Sequence, residues 1–227
     1  MMRADAQRRR HVMTIRPGLE QENALLSCGY RLIAGVDEAG RGAWAGPVYA
    51  AAVILPLERA DLTAALDGVA DSKQLSPRRR ETLLLVIRAV ALGVGVGTAS
   101  AAEIDSLGIV PATRLAMQRA IDALCPLADA LILDHIRLPA VPLPQRSLPK
   151  ADQRCLTVAA ASIVAKVSRD RWMIELDCRY PGYGLARHKG YGTAAHRAAL
   201  ARLGPSPLHR ISWAPFRALE EEERPCN

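Results

Sequence analysis

A chain of 227 residues, half of them hydrophobic, suits one α/β domain with an appendage rather than two full domains. Its 30 Lys+Arg against 23 Asp+Glu leave a formal charge of +7, which suits a phosphate-rich partner but alone shows only a favourable long-range field. Cysteines at 28, 125, 155, 178 and 226 lie far apart with no C-x-x-C pair; this argues against a disulfide framework or zinc site and for a reduced, cytoplasmic compartment. No apolar run reaches membrane-spanning length, so no membrane partner is expected.

Residues 1–20 read as a flexible arm, basic but lacking the hydrophobic stretch of a secretory signal. A catalytic domain is expected over 21–192 and a helical part packed on it over 193–227. Residues 31–37 (RLIAGVD) read as a short buried strand stopped by Gly40 and Gly42, and Val48–Leu55 as a second, closed by Pro56. Ser76-Pro77 opens a helix: Ser76 can accept from a free backbone N–H, and Pro77 sits where its missing donor costs nothing. Apolar residues at 83, 84, 86, 87 and 90 give that helix a buried stripe, and Gly93–Thr98 follows as a third strand.

An amphipathic helix is expected over 112–125 and a fourth strand over Ala130–Leu133, ending at Asp134. A Pro-rich link leads to Lys150-Ala151-Asp152, then a long helix over about 155–178. A Gly-containing loop (181–192) and shorter helices finish the chain; the acidic run Glu220–Glu223 reads as a solvated helix end. Strands interleaved with helices imply a mainly parallel or mixed sheet covered on both faces, with ligands collecting beyond the strand carboxyl ends.

Asp37 and Glu38 stand together where the first strand ends. Neighbours in a regular strand point to opposite faces, so one carboxylate would aim into a core, at a cost, unless both reach a cation at the strand tip. Asp134 closes another buried strand, and Asp152 precedes the long helix as a cap or a ligand. Four converging carboxylates would repel one another unless neutralised; oxygen donors suit Mg²⁺ or Mn²⁺, and two such ions can serve a phosphodiester displacement.

Other motifs are weaker. Gly40-Arg41-Gly42 is not a dinucleotide-binding turn, because Pro47 and another β-rich run follow rather than a helix. Ser162 and Lys166 share a helical face, where local hydrogen bonding explains them better than a nucleophile does. His188 and His196 lack a third nearby ligand for zinc. The glycines at 93, 95 and 97 are explained by alternation in a strand, and Trp44 alone of three tryptophans sits where substrate could reach it.

Assembled, these blocks resemble the ribonuclease HII family. The matching segments are A-G-V-D-E-A-G-R-G-A-W-A-G-P-V at 34–48, D-S-K-Q-L-S at 71–76, L-I-L-D at 131–134, A-A-A-S-I-V-A-K-V-S-R-D-R at 159–171 and H-K-G-Y-G-T at 188–193. The resemblance implies an α/β ribonuclease H-like fold, a mixed central β-sheet flanked by helices with a small helical C-terminal part. It implies endonucleolytic cleavage of RNA in RNA–DNA hybrids and 5′ of single ribonucleotides in duplex DNA, giving 3′-hydroxyl and 5′-phosphate ends. By motif, Asp37, Glu38, Asp134 and Asp152 become catalytic ligands of two Mg²⁺ or Mn²⁺ ions. Gly40, Arg41 and Gly42 become the sensor of the ribose 2′-hydroxyl, and Tyr191 the residue beside the RNA–DNA junction.

Lys73, His188 and Lys189 are natural phosphate contacts, and a monomer is expected. The family usually has glycine where this chain has His135 and Ala151, so strain is anticipated at Ala151 and a solvent-facing side chain at His135. The competing reading, a nucleic-acid-binding module without catalysis, is disfavoured because four carboxylates hinder binding of a polyanion.

Overall fold

A computed structural model describes residues 16–216. Most of the expected N-terminal arm and the acidic run at 220–223 lie outside the described residues. Docking begins earlier than the boundary at residue 20 anticipated: the Gly18 N–H donates to the Arg154 carbonyl (3.1 Å) and the Leu156 N–H to that of Gly18 (2.9 Å).

Five strands form one mixed sheet in the order β3-β2-β1-β4-β5. They are β1 (Ile33–Ala39), β2 (Val48–Ile54), β3 (Gly93–Ala99), β4 (Ala130–Asp134) and β5 (Gln145–Leu148). The short connection of β1 to β2 makes that pair antiparallel, as is β2 with β3, whereas β1–β4 and β4–β5 are parallel. The Pro-rich link therefore contains a strand that periodicity does not announce. β5 is the polar segment QRSL, half-buried at a sheet edge, with no apolar alternation.

The short α1 (Glu20–Ser27) and α2 (Leu62–Ala65) come first among the helices. One face of the sheet packs on α5 (Ile109–Asp122), the other on α7 (Leu156–Arg179) and α3 (Pro77–Val90). Val36, Ala50 and Ala52 meet Ala112, Ala116 and Met117 on the first face, while Ala51 and Val53 meet Ala160 and Val164 on the second. Alternation in β3 is only half the reason for its glycines: a Cβ at Gly97 would collide with the backbone of α5 at Ala116 and Ala120. Side-chain caps open α3 and α4 (Ala101–Leu107). Ser76 accepts from the Arg79 N–H (3.2 Å), with Pro77 in the first turn. α4, absent from the sequence reading, carries a full Ser100–Glu103 capping box. α5 begins three residues before its anticipated start, since Pro111 is tolerated in a first turn.

Asp152 sits in its own one-turn helix, α6 (Ala151–Arg154), separated from α7 by extended Cys155. The short α8 (Leu185–His188) and α9 (Ala194–Leu203) pack beside the far end of α7. Cys28, Cys125, Cys155 and Cys178 are free. Among the described residues no helix is long and apolar enough to cross a membrane.

Candidate active site

β1 does not end at Asp37. Its pairing with β2 runs on through Glu38↔Ala50 and Ala39↔Tyr49. On its other side, pairing with β4 stops at Val36↔Leu133. The sheet thus opens beside Asp37 and Glu38 on one side only, and β4 brings Asp134 to that opening. This resolves the conflict of two adjacent strand carboxylates: they leave opposite faces, yet both border a gap.

The carboxylates crowd one another. Burial holds Asp37 well above the usual carboxylate range, and the charges of Glu38, Asp134 and Asp152 push it further. Glu38 is raised by burial and by Asp134, against the opposing pull of Arg41 and Lys73. Asp152 is pushed up to about 6 by burial, then by Asp71 and Asp134. Asp71 caps the 3₁₀ turn Ser72–Gln74 and adds a fifth carboxylate at the rim. Internal compensation is thin: Arg41 Nη1 lies 3.8 Å from Glu38 Oε1, and Lys73 Nζ 3.9 Å from Asp152 Oδ2. The Glu38 Oε2 atom is buried with no hydrogen-bond partner. An orphaned buried oxygen amid mutually repelling carboxylates fits a hard divalent cation. Among the described residues no group of three or more His, Cys, Asp or Glu side chains is arranged to hold a metal ion.

Asp134 and Asp152 are linked through the backbone: the Ala151 N–H donates to Asp134 Oδ1 at 2.8 Å. The anticipated strain at Ala151 lies one residue earlier. Lys150 takes the left-handed conformation (φ 55°), while Ala151 is helical and fully buried. His135 is also left-handed (φ 59°) and exposed.

Next to the carboxylates, residues 40–47 and 188–191 form one cradle. Trp44 and Ala45 N–H groups both donate to the Gly190 carbonyl (2.8 and 3.2 Å). Gly40 has φ 87°, and a Cβ there would strike the Arg169 side chain; at Gly42 a Cβ would meet nothing within 4 Å. Tyr191, half-exposed, has its ring flanked by Arg169 (5.4 Å) and Lys166 (5.7 Å). Trp44 packs edge-on against Phe216 and beside His196, so it is held by protein neighbours.

His188 is not the free phosphate contact anticipated. It is buried, stacks on His196 (centroids 4.3 Å apart), bonds the Tyr183 carbonyl through Nε2 and accepts from the Gly190 N–H at Nδ1. Lys189 is half-buried with φ 53°, and Lys73 is largely exposed. Ser162 bonds Ser72 (2.8 Å) and Lys166 bonds Asp170 (2.7 Å), the local roles expected of them.

Three residues of this region escaped sequence reasoning. Arg169 and Arg210 are fully buried, with no carboxylate at ion-pair distance among the described residues. Arg210 donates to the carbonyls of Gly40 (2.7 Å), Arg41 (2.7 Å) and Gly46 (2.9 Å). Arg169 donates to those of Pro47, Lys189 and Ala45. His209 joins His196 (3.1 Å) beneath the cradle.

The family model described as "Ribonuclease HII" matches residues 34–216, a span that includes every one of these residues. The chain is 56% identical to a ribonuclease HII of Roseiflexus castenholzii over 200 residues, 88% of this chain and 89% of that one. It is 55% identical to one of Pelobacter propionicus, with 88% of each chain covered. Among solved structures, the ribonuclease H2 of Pyrococcus horikoshii superposes with a TM-score of 0.71 at 27% identity, covering 84% of this chain and 97% of that one. RNase HII in a PCNA complex from Archaeoglobus fulgidus gives 0.66 at 28% identity, covering 80% and 95%. The chain belongs to the ribonuclease HII family of divalent-metal-dependent endoribonucleases.

Proposed function

We propose that this endoribonuclease of RNA–DNA hybrids also cuts duplex DNA on the 5′ side of a single embedded ribonucleotide, acting as a monomer, with Asp37, Glu38, Asp134 and Asp152 as its metal ligands. The observation that carries the reading is the juxtaposition of the unpartnered Glu38 carboxylate oxygen with the cradle of Gly40–Gly42 and Tyr191. When bound, two Mg²⁺ or Mn²⁺ ions supply activation of water and stabilisation of the departing 3′-oxygen. Asp37, beside both Glu38 and Asp134, would hold a cation together with either of them.

The protein's own contribution is placement. Telling a ribonucleotide from its deoxy counterpart requires contact with the 2′-hydroxyl. Gly42 leaves open the space a side chain would fill, so a sugar can approach the backbone of the 40–42 turn. Tyr191 offers a flat face for a sugar and a hydroxyl for a hydrogen bond. Lys73 and Lys189 lie on the approach, where phosphate contacts position the duplex without reading sequence. His188 supports Lys189 and Tyr191 by fixing their turn.

The test is cleavage of a DNA duplex carrying one ribonucleotide, with Mg²⁺, Mn²⁺ or EDTA, beside an all-DNA duplex. A metal-dependent cut 5′ of the ribonucleotide, absent from the control, is the expected result. Binding without cutting would replace this reading with a silent binding module.

A further inference from the structure

A cavity of about 430 Å³ opens between α3, α7 and α8 and is lined by Arg80, Lys166, Arg171, Arg187 and Lys189. Among the described residues only two acids share it, and both are already engaged. Arg171 grips Glu81 through two bonds (3.2 and 2.5 Å), while Asp170 is divided between Lys166 (2.7 Å) and Arg80 (3.5 Å). Arg187 is exposed, and neither it nor Lys189 has a carboxylate at ion-pair distance among the described residues. The cavity therefore carries more positive charge than its own acids cancel. A surface of this kind is completed by a polyanion and gives no advantage to an apolar ligand.

Its two walls join the active site. Arg80 donates to the carbonyls of Ser72 (2.9 Å) and Leu75 (2.6 Å), which holds the turn presenting Lys73 beside Asp152. Across the cavity, Lys166 stands over the Tyr191 ring. A nucleic-acid backbone passing between Lys73 and Tyr191 thus meets this groove as its direct continuation.

We propose that the groove is a second phosphate track, holding the sugar–phosphate backbone of the substrate duplex where it continues past the cut. The proposal rests on the reading of Tyr191 and Lys73 as substrate contacts. Arg187 is its outermost cation and Lys166 its link to the cradle. The track grips by charge alone, so it adds affinity and register for long duplexes without reading their sequence.

The experiment measures dissociation constants by fluorescence anisotropy, in EDTA across a potassium chloride series. It uses a short duplex ending near its single ribonucleotide and a long one extending past it on both sides. Arg187→Ala combined with Arg171→Gln is compared with wild type, Arg187→Lys and Arg88→Ala, the last removing an exposed charge elsewhere on α3. For the long duplex, the double variant is expected to bind about tenfold more weakly. Its slope of log affinity against log salt should be shallower by roughly one to two. Arg187→Lys should keep the wild-type slope, since a point charge suffices, and Arg88→Ala should leave it unchanged. A wild-type slope in a folded double variant, or equal losses on both duplexes, would overturn the track. Wild-type binding without ribonucleotide cleavage would instead overturn the activity reading, and the slopes would still decide the track.

Discussion

Two neighbouring regions of this molecule handle unpaired charge in opposite ways. At the open ends of β1 and β4, carboxylates press on one another with cations only at 3.8 and 3.9 Å, and one buried oxygen has no partner. Under the 40–47 and 188–191 cradle, two fully buried guanidinium groups have no carboxylate at ion-pair distance among the described residues, yet their donors are taken up by backbone carbonyls. Burial draws Arg210 down to about 9, which leaves it charged at neutral pH. The first region is finished by something that arrives; the second is finished by the chain itself. Metal affinity and the shape of the 40–42 turn should therefore fail separately.

The largest expected effect comes from breaking the first region. Asp37→Asn removes the carboxylate that borders both Glu38 and Asp134, so the cleavage rate should fall at least about a thousandfold, the scale of several kcal/mol of lost metal assistance. Binding of the duplex should survive. In EDTA the variant should melt no lower than wild type, because a repelling buried charge has gone. Full activity in Asp37→Asn would remove it from the ligand set.

Breaking the second region should look different. Arg210→Met leaves the carbonyls of Gly40, Arg41 and Gly46 without their donors, and unsatisfied buried groups cost about 1–3 kcal/mol each. Losing two or three such bonds should lower unfolding stability by roughly 3–5 kcal/mol in urea titrations, with activity on the single-ribonucleotide duplex impaired. Mn²⁺ affinity, read by calorimetry, should change little in whatever fraction remains folded. A large loss of metal affinity with unchanged stability would mean the two regions are one device.

A smaller effect separates them by pH. Asp152 has a folded-state value of about 6 against an ordinary 3.8. The folded state therefore holds the extra proton between those values, and the associated stability is lost as pH rises through that window. His196, drawn down to about 4 by burial, has the opposite sign: its stability is lost as pH falls below its ordinary value of 6.5. The two overlap, so the readout is the difference in melting temperature between Asp152→Asn and wild type, in which the histidine contribution cancels. Without metal this difference should grow in favour of the variant from pH 4 to pH 7, and saturating Mg²⁺ should reverse it. A difference that is flat with pH would contradict the crowding of Asp152.

The carboxylates were legible in the sequence because their chemistry is local: acids at the ends of apolar strands are conspicuous without any tertiary knowledge. The same holds for α3, whose Ser76 cap and apolar stripe lie within a few residues of each other. What stayed hidden is what depends on distance along the chain. Arg169 and Arg210 find their carbonyls up to 170 residues away, and nothing near either residue distinguishes it from a solvated arginine. His188 reads as a surface phosphate contact until His196 and His209 fold back against it. β5 is polar and short at a sheet edge, so it lacks the alternation by which strands are recognised.

The smallest effect locates the strain beside the last carboxylate. A residue in the left-handed region costs about 1–2 kcal/mol unless it is glycine, and here that residue is Lys150, not Ala151. Glycine at 150 relieves the backbone but adds freedom to the unfolded chain, so Lys150→Gly should gain under about 1 kcal/mol. Ala151 is helical and packed among Ile132, Cys155 and Val158, so Ala151→Gly should lose about 0.5–1 kcal/mol. Both variants should cleave within a few-fold of wild type, because the Ala151 N–H that holds Asp134 is kept in each. The opposite order of melting temperatures, with Ala151→Gly the more stable, would move the strain back onto Ala151. A gain in Mn²⁺ affinity confined to that variant would show that the strain reaches Asp152.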